Sequence, residues 1–427
     1  MVEIKLPYGS GHLSVEVPDG NLAGVFKPRL PGDAFPPEEE IVRSALEHPC
    51  AGPRLAELAA SARKVTVISS DHTRPLPSRI TLPLLLQEIR DGNPAADVSI
   101  LVATGLHRSP TREELIDRYG EDVVERERLI VHDSRARDRL VYLGTLPSGA
   151  PLTINKAAAE ADLLIAEGFI EPHFFAGFSG GPKSVLPGIA GEESILANHS
   201  AALIGHPAAR AGSLADNPVH WDIRAAQRLA GLRFILNVVL DPRHRILAAF
   251  AGDVEKAHGA GCRYVAEAAT VEIDPVDIVI TSNGGYPLDQ NLYQAVKGMS
   301  GGEAATRPGG TIIIAAECRD GIGGEGFYRM MREASSPAAL SASIAATPAS
   351  GTLPDQWQVQ VLARILAERQ VIVVTQGVGR RQLEDMFLAW APDLASALRL
   401  ALARHGPHAR IAVIPDGVQV IVKPKKN

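Results

Sequence analysis

Short apolar runs alternate with amphipathic segments along most of the chain. Each run is followed by a polar loop and then by a helical pattern, as in the stretches 80–90 and 111–119. This repeated order of strand, loop and helix predicts parallel sheets with crossover helices, which is the α/β class. The runs are KVTVISS (64–70), DVSILVATG (97–105), DLLIAEG (162–168), VDIVITSNGG (276–285), GTIIIAAEC (310–318) and QVIVVTQG (370–377).

Alternating polar and apolar residues mark both ends of the chain. At residues 2–17 two alternating runs flank the turn Gly9-Ser10-Gly11, which predicts a β-hairpin. Residues 409–424 show a similar alternation, and we interpret them as a second hairpin.

The chain is longer than one ordinary domain, because its 427 residues favour two or three. The pattern of strand and helix restarts near residue 271, so we predict an N-terminal α/β domain at 1–270 and a C-terminal α/β domain at 271–408. Residues 409–427 could return to the first domain. We expect the active site in the cleft between the two domains.

The composition narrows the class of protein. Hydrophobic residues make up 45% of the chain, charged residues 22%, and the formal net charge is −6, which is typical of a globular protein. The sequence shows no concentrated basic face, so it does not predict a nucleic-acid partner. No apolar run reaches the roughly 18 residues of a membrane span, and the N-terminus does not resemble a secretory signal. With only three scattered cysteines, the expected location is the cytoplasm.

The stretch from Gly168 to Ser200 concentrates groups that carry chemistry. It contains His173, Lys183 and His199, which could act as base, nucleophile and metal ligand. The run Ser179-Gly180-Gly181 could offer backbone N–H groups to a phosphate. The following Lys183-Ser184 resembles the end of a P-loop, but Pro182 replaces the glycine, so the NTPase interpretation is weak. Lys183 would then be an ion-pair partner for the phosphate or a covalent attachment point.

Polar clusters follow the first two predicted parallel strands. Asp71, His72, Thr73 and Arg74 come after the first, and His107 lies in TGLHR (104–108) after the second. Ligands bind outside the carboxyl ends of the strands in open parallel sheets, so these loops favour a functional site. The structural alternative is that Asp71 and Thr73 only cap the turn while Arg74 pairs with a carboxylate.

A predicted helix at 288–299 carries further candidates. Gln290, Gln294 and Lys297 would lie on one helical face and could reach a carboxylate across the cleft. Trp357 is either a core residue or a pocket wall. The nearby GIGGEG (321–326) matches a dinucleotide fingerprint, but no acidic residue follows where the ribose would need it, so we interpret it as a loop.

Five segments together resemble the nickel-dependent lactate racemase family, whose members bind a nickel-pincer nucleotide. They are DHTRP (71–75), TGLHR (104–108), EPHFFAGFSGGPKSVLPGIAG (171–191), NHS (198–200) and NLYQAVKG (291–298). The resemblance implies a 2-hydroxyacid racemase or epimerase. It would act by proton-coupled hydride transfer through a 2-keto acid intermediate. The N-terminal domain would carry the cofactor and the acid–base residues, and the C-terminal domain would close the cleft.

The resemblance also implies a role for each candidate residue. Lys183 would bind the pyridinium-3-thioamide-5-thiocarboxylate mononucleotide as a thioamide, His199 would bind nickel, and His107 and His173 would be the two acid–base residues. The anionic 2-hydroxy acid would contact Arg74, Lys297, Tyr293 and Trp357. The remaining cofactor contacts would come from Asp71, His72, Thr73, Arg74, Ser179, Gly180, Gly181, Gln294 and Lys297. Cofactor-synthesis enzymes would be the partners that load it.

Two alternatives stay open at the level of the sequence. One is a phosphate- or nucleotide-binding protein that uses the turn around Lys183 without racemase chemistry. The other is a metal-dependent hydrolase with His107, His173 and His199 as zinc ligands. The hydrolase is the weaker alternative, because these histidines lack the compact spacing of known zinc motifs.

Overall fold

The computed structural model describes residues 1–29 and 35–425. The chain forms two compact units. The N-terminal unit comprises Leu30–Asn198 and Ala208–Glu267, and the C-terminal unit comprises Met1–Arg29, His199–Pro207 and Ala268–Asn427. Among the helices of the described ranges, none is long and apolar enough to cross a membrane.

The strands of the described residues follow one another along the chain. They are β1 Val2–Tyr8, β2 Gly11–Val17, β3 Leu22–Val25, β4 Lys64–Ser70, β5 Asp97–Ala103, β6 Arg128–Val131, β7 Leu140–Thr145, β8 Pro151–Asn155, β9 Leu163–Phe169, β10 Pro172–His173, β11 Gly177–Phe178, β12 Leu232–Leu240, β13 Ile246–Gly252, β14 Thr270–Glu272, β15 Val276–Ser282, β16 Thr306–Ala315, β17 Gln370–Val374, β18 Ala389–Ala391, β19 Ile411–Ile414 and β20 Ile421–Lys423.

The helices lie between these strands. They are α1 Glu38–Glu47, α2 Leu55–Ala59, α3 Ser78–Gly92, α4 Arg112–Tyr119, α5 Glu121–Arg126, α6 Lys156–Ala159, α7 Glu192–Asn198, α8 Ala201–Gly205, α9 Pro218–Leu229, α10 Val254–Ala269, α11 Leu292–Ala305, α12 Glu325–Glu333, α13 Pro337–Ala345, α14 Gln356–Glu368, α15 Arg380–Glu384 and α16 Leu394–His405.

The N-terminal unit is built on a six-stranded sheet in the order β13-β12-β9-β4-β5-β6. All neighbours are parallel except β13, which is antiparallel to β12. The central strand β9 is buried at every residue, as expected of a parallel strand that is covered on both faces. Helix α3 packs on this sheet through Leu82, Leu85 and Ile89, which are fully buried.

The C-terminal unit has its own six-stranded sheet, in the order β18-β17-β16-β15-β19-β3, and every pair in it is parallel. The predicted α/β class with mainly parallel sheets and crossover helices is therefore confirmed. The prediction of an active site in a cleft stays a prediction.

The predicted hairpin at 409–424 is wrong. Strand β19 lies parallel between β15 and β3, and β20 pairs parallel with β14 instead of with β19. The reason is burial, because all four residues of β19 are buried and a strand covered on both faces takes a central position. Residues 409–423 thus belong to the C-terminal unit and do not return to the N-terminal one.

The start of the chain also belongs to the C-terminal unit. The hairpin of β1 and β2 has the predicted turn, but β3 then pairs with β19, and Phe26 N–H donates to Val413 O. Residues 1–29 were predicted to lie in the N-terminal domain, and this assignment is wrong because it overlooked their pairing with a strand almost 400 residues away. The change of unit at 267/268 lies close to the predicted boundary at 270.

Three neighbouring strands of the N-terminal sheet end where candidate residues begin. Asp71 directly follows β4, His107 follows β5 by four residues, and His173 follows β9. Because these strands are adjacent and parallel, their carboxyl ends lie at one edge of the sheet. The topology thus places three of the predicted functional loops side by side.

Candidate active site

Asp71 and His107 form a hydrogen-bonded pair across two loops. The Nδ1 of His107 lies 2.8 Å from Oδ2 of Asp71. Asp71 has 1% of its side chain exposed and His107 has 40%. A buried carboxylate thus holds one ring nitrogen of a histidine whose imidazole is still open to solvent.

Two contacts keep Asp71 in this position. Its Oδ1 accepts hydrogen bonds from Thr73 N at 3.0 Å and from Thr73 Oγ1 at 2.6 Å. Burial raises the pKa of the Asp71 carboxyl, but the hydrogen bond and charge of His107 and the charge of Arg74 outweigh burial and hold the pKa well below its ordinary value. Asp71 is therefore ionised at neutral pH, so His107 donates through Nδ1–H and its Nε2 carries a lone pair.

The alternative in which Asp71 and Thr73 only cap the turn and Arg74 pairs with a carboxylate is half correct. Asp71 and Thr73 do close the turn, yet the same carboxylate also reaches His107. Arg74 Nη1 donates to Thr73 Oγ1 at 3.2 Å. Within residues 1–29 and 35–425, Arg74 forms no ion pair with a carboxylate, so its guanidinium remains available for an anion.

His72 points to a different set of partners. Its Nε2 lies 3.8 Å from Glu114, which also binds Arg108. Its Nδ1 is buried and has no hydrogen-bond partner in the described part of the chain, and burial lowers the pKa of the ring. The predicted cofactor contact of His72 stays a prediction.

His173 lies in a two-residue hairpin, in which β10 pairs with β11 and His173 faces Gly177. The N–H of Ala176 donates to His173 Nδ1 at 3.2 Å. In the neutral ring the proton must therefore lie on Nε2, the opposite tautomer to that of His107. The ring also stacks on Phe174, with centroids 5.1 Å apart, and meets the edge of Phe175 at 4.5 Å.

Lys183 lies in a short 3-10 turn, Gly181–Ser184. Its ammonium is 5.7 Å from the centroid of Phe175, the same ring that contacts His173. Gly105, two residues before His107, donates its N–H to Gly188 O at 3.0 Å. The loops of His107, His173 and Lys183 are therefore joined to one another.

The glycines before Lys183 have a packing role. Gly180 and Gly181 have positive φ values of 74° and 52°. A Cβ on Gly180 would lie 2.7 Å from Asn237 Oδ1, and one on Gly181 would lie 2.5 Å from His258 Cγ. Only glycine fits either place.

The backbone donors of this turn are largely used within the protein. Ser179 N donates to Glu171 O at 2.9 Å, and Gly181 N donates to Asn237 Oδ1 at 2.6 Å. The hydroxyl of Ser179 donates to Phe169 O at 3.0 Å. The N–H groups of Ser179 and Gly181 therefore already point at protein oxygens, which does not favour their binding a phosphate.

Two histidines that the sequence analysis does not single out lie close to Lys183. His258 donates from Nε2 to Ser179 O at 3.0 Å, and its ring lies 6.2 Å from that of His220. Burial lowers the pKa of His258 to about 4 and that of His220 to about 3, and the charge of Lys183 adds to both effects. No sequence signal finds them, because they lie on helices α9 and α10, far from Lys183 along the chain. They border a pocket of about 240 Å³ beside Pro182.

In the C-terminal unit, His199 packs against Trp357. Their ring centroids are 4.9 Å apart and the rings meet edge to face at 67°. His199 is 6% exposed. Trp357 was predicted as a substrate wall, and this contact gives it a second role as a support for the His199 ring.

The other candidates of the C-terminal unit lie on α11. Asn291 caps this helix through its side chain, which accepts from Gln294 N at 2.9 Å. The predicted start at residue 288 is therefore too early, and Gln290 precedes the helix and does not share its face. Tyr293, Gln294 and Lys297 are all half-buried. Tyr293 meets the edge of Phe327 with centroids 5.5 Å apart.

Over the described ranges, no group of three or more His, Cys, Asp or Glu side chains converges on a metal-sized space. The described residues thus give no support to the alternative of a zinc hydrolase. A metal at His199 would need its other ligands from a bound group.

Two family models match the chain over most of its length. The lactate racemase N-terminal domain matches residues 8–212, and the lactate racemase C-terminal domain matches residues 271–422.

Similar proteins extend this match to the full chain. A lactate racemase of Thermoanaerobacterium thermosaccharolyticum is 54% identical over 426 residues, with all of both chains covered. A lactate racemase of Lactiplantibacillus plantarum is 48% identical over 428 residues, which cover 99% of this chain and all of that one.

Two solved structures are similar to this chain. The lactate racemase apoprotein of Thermoanaerobacterium thermosaccharolyticum superimposes with a TM-score of 0.96 at 54% identity, covering 99% of this chain and all of the other. A protein of Thermotoga maritima shares the fold, with a TM-score of 0.66 at 20% identity over 90% of this chain and 98% of its own. With both domain models and full-length relatives matched, the chain belongs to the lactate racemase family and is an isomerase.

Proposed function

We propose that the protein is a 2-hydroxyacid racemase that interconverts the enantiomers of lactate. The proposal rests on one observation: two histidines in neighbouring loops are in opposite tautomers. His107 has its lone pair on Nε2 because Asp71 accepts from Nδ1, whereas His173 has its proton on Nε2 because Ala176 donates to Nδ1. These tautomers support a site in which His107 accepts a proton through Nε2 and His173 donates through Nε2–H.

Racemisation makes use of such a pair. The substrate hydroxyl must lose its proton while the α-carbon becomes planar, and the proton must return when the opposite enantiomer forms. His107 Nε2 accepts the hydroxyl proton of one enantiomer, and Asp71 stabilises the imidazolium that results. His173 Nε2–H donates a hydrogen bond to the substrate oxygen from its own side. The proton that is returned as the opposite enantiomer forms comes from His173 in its doubly protonated state, which then becomes neutral.

The reverse reaction requires His173 to become the acceptor. Nδ1 of its ring faces the Ala176 N–H, so the proton cannot move from Nε2 to Nδ1 while this contact persists. The contact must open during that half-reaction. Because the equilibrium constant of racemisation is one, kcat/KM stays equal for the two enantiomers, and the asymmetry can appear only in kcat and KM separately.

Arg74 and Lys297 would bind the carboxylate of the substrate. Arg74 lies in the loop of Asp71, and among the described residues its guanidinium donates to Thr73 Oγ1 and Thr73 O. A guanidinium binds a carboxylate through two parallel hydrogen bonds, which orients the α-carbon as well as neutralising the charge. Tyr293 and Trp357 would line the side-chain pocket, and lactate requires only that this pocket admit a methyl group.

The nickel-pincer nucleotide implied by the sequence fits the residues present. Lys183 offers a primary amine for the thioamide, and His199 offers one imidazole to the metal. A single protein ligand suits a cofactor that brings its own donors. Asp71, His72, Thr73, Ser179, Gly180, Gly181 and Gln294 would lie around it. The chemistry that the group supplies when bound is reversible uptake of the α-hydrogen as hydride, with a 2-keto acid as the intermediate.

Ser179, Gly180 and Gly181 enter this proposal in a changed role. The close packing of the two glycines supports a role in shaping the turn of Lys183, and the N–H groups of Ser179 and Gly181 already donate to protein oxygens. The same geometry weakens the alternative of a simple phosphate-binding protein, because that alternative needs those N–H groups to be available.

The experiment is intact-mass spectrometry and nickel analysis of protein co-expressed with cofactor-synthesis enzymes. We expect added mass and nickel on the parent and neither on Lys183→Ala. Lys156→Ala, which removes an exposed lysine of the same unit paired with Glu160, is the matched control and should carry the adduct. An adduct that persists on Lys183→Ala would contradict the attachment.

A further inference from the structure

The loop that carries Asp71 is held by two residues outside the catalytic pair, of which the first is buried and the second half-buried. One is Glu167 on β9 and the other is Arg118 at the end of α4. Neither was singled out by any sequence motif, and neither contacts the imidazole of His107 in the described structure.

Glu167 connects the two ends of the loop. Its Oε1 accepts from Ser69 Oγ at 2.5 Å and from Ser78 Oγ at 2.7 Å, and its Oε2 accepts from Thr81 Oγ1 at 2.5 Å. Ser69 is in the strand before the loop, and Ser78 and Thr81 form the first turn of the helix after it. All four side chains are buried. A carboxyl group that accepts three hydroxyls from both sides of a loop fixes the separation of its ends.

Glu167 also contacts the first turn of α3, which has no side-chain cap. The N-cap residue, Pro77, supplies no side-chain hydrogen bond, and the first turn of α3 contains no acidic residue. The carboxyl group of Glu167 therefore links the start of this helix to β9 through the hydroxyls of Ser78 and Thr81. The direction in which the chain leaves the loop consequently depends on a residue of a different strand.

Arg118 holds the middle of the loop. Its Nη2 donates to His72 O at 3.2 Å and also to Arg74 O, and its Nη1 donates to Leu76 O. The neighbouring Tyr119 donates its hydroxyl to Ser70 O at 2.8 Å. One planar guanidinium thus binds three carbonyls of the loop, a geometry that lysine cannot reproduce.

Helix α4 makes this a connection between the two catalytic loops. The loop of His107 leads into α4 through the capping residue Thr111, and α4 ends with Arg118 and Tyr119, which bind the loop of Asp71. The two loops that form the Asp71–His107 hydrogen bond are therefore tied to each other at a second place. A shift of either loop would lengthen the 2.8 Å contact.

We propose that Arg118 and Glu167 are positioning residues that fix the tautomer and orientation of His107 through the Asp71 loop. The inference rests on the proposed role of His107 as acid–base residue. Its structural part, the control of the His107 tautomer, is independent of that role.

The test uses Arg118→Lys, Glu167→Gln and the milder Thr81→Val, which removes one hydroxyl from Glu167. Nitrogen-15 NMR of the histidine rings in the unloaded protein reports which nitrogen of His107 carries the proton, and His107→Ala identifies the signal. We expect the parent to show Nδ1–H alone and the variants to show a mixture, with the smallest change in Thr81→Val. In the loaded enzyme, kcat should fall by roughly 10-fold or more, because small misplacements of a catalytic group are costly, while KM changes less.

Arg79→Lys is the matched control. Arg79 also donates to two main-chain carbonyls, those of Ile116 and Asp117 in α4, but it does not contact the Asp71 loop. The Arg79→Lys variant should leave the NMR signal of His107 and the kcat of the loaded enzyme unchanged. An unaltered His107 signal in all three folded variants would overturn the proposal, as would an equal change in Arg79→Lys. A parent without racemase activity but with a responsive His107 tautomer would instead refute the proposed function and leave the positioning role intact.

Discussion

At the scale of single residues, the site depends on a carboxylate that is almost fully buried and yet ionised. Burial alone would favour neutral Asp71, but His107, Arg74 and Thr73 reverse that preference. Ionised Asp71 then decides which nitrogen of His107 is basic. An amide in its place would keep the shape but lose the charge that selects this tautomer.

Asp71→Asn should therefore reduce kcat by roughly 100-fold, the lower range of what general acid–base catalysis contributes. Steady-state kinetics of the loaded enzyme measures this loss. Asp162→Asn is the control, because Asp162 accepts from Arg63 N and Lys64 N at the opposite end of β4. Comparable kcat values for the two variants would show that the charge of Asp71 has no special role.

The lowered pKa of His258 predicts that the stability of the fold depends on pH. Its folded-state pKa of about 4 lies below the unfolded value of 6.5, so the unfolded chain binds the proton first as the pH falls. The stabilisation from the neutral ring is complete above about pH 6.5 and is lost as the pH falls toward 4. Linkage gives a loss on the order of 2 kcal/mol between pH 7 and pH 5.

The measurement is the free energy of unfolding of the parent and of His258→Gln at these two pH values. The parent should lose more stability than the variant, because glutamine does not titrate. Equal losses would mean that His258 does not carry this effect.

At the scale of elements, the strands were predictable and their distant partners were not. Runs such as 64–70 and 370–377 agree with β4 and β17 because continuous burial leaves a continuous apolar pattern. The pairing of β3 with β19 left no such trace, because it joins segments almost 400 residues apart. The alternation of 409–424 was equally compatible with a hairpin and with two separate parallel strands.

The same limit applies to the site. Asp71 and His107 could be placed together because both follow neighbouring strands. The packing of His258 on Gly181 could not be predicted, since a histidine within a helix pattern does not show which residue it contacts. For this reason the glycines before Lys183 suggested a phosphate site, whereas their neighbours explain them by close packing.

Gly181→Ala tests this packing role. Its Cβ would meet the His258 ring at 2.5 Å, so we expect the turn to shift, unfolding stability to fall by about 1–3 kcal/mol as in other overpacked cores, and the cofactor adduct on Lys183 to decrease. Thermal unfolding and intact mass measure the two effects.

Gly149→Ala is the matched control. Gly149 also has a positive φ, 86°, but no atom lies within 4 Å of its added Cβ. The Gly149→Ala variant therefore has the backbone strain of Gly181→Ala but not the steric clash with a neighbouring side chain. If both variants lose the same stability and both keep the adduct, contact with His258 is not the reason for Gly181.

At the scale of the whole molecule, the candidate residues are divided between the two units. His107, His173 and Lys183 belong to the N-terminal unit, whereas His199 and the residues of α11 belong to the C-terminal unit. The segment His199–Pro207 is grouped with the C-terminal unit although the residues before and after it are not.

The central claim is that the loaded protein interconverts lactate enantiomers, and chiral chromatography tests it most directly. Enantiopure L-lactate and D-lactate are incubated separately with protein whose intact mass shows the adduct. We expect both reactions to reach a 1:1 mixture, and we expect His107→Ala to convert neither enantiomer. Loaded protein that leaves both enantiomers unchanged would contradict the account.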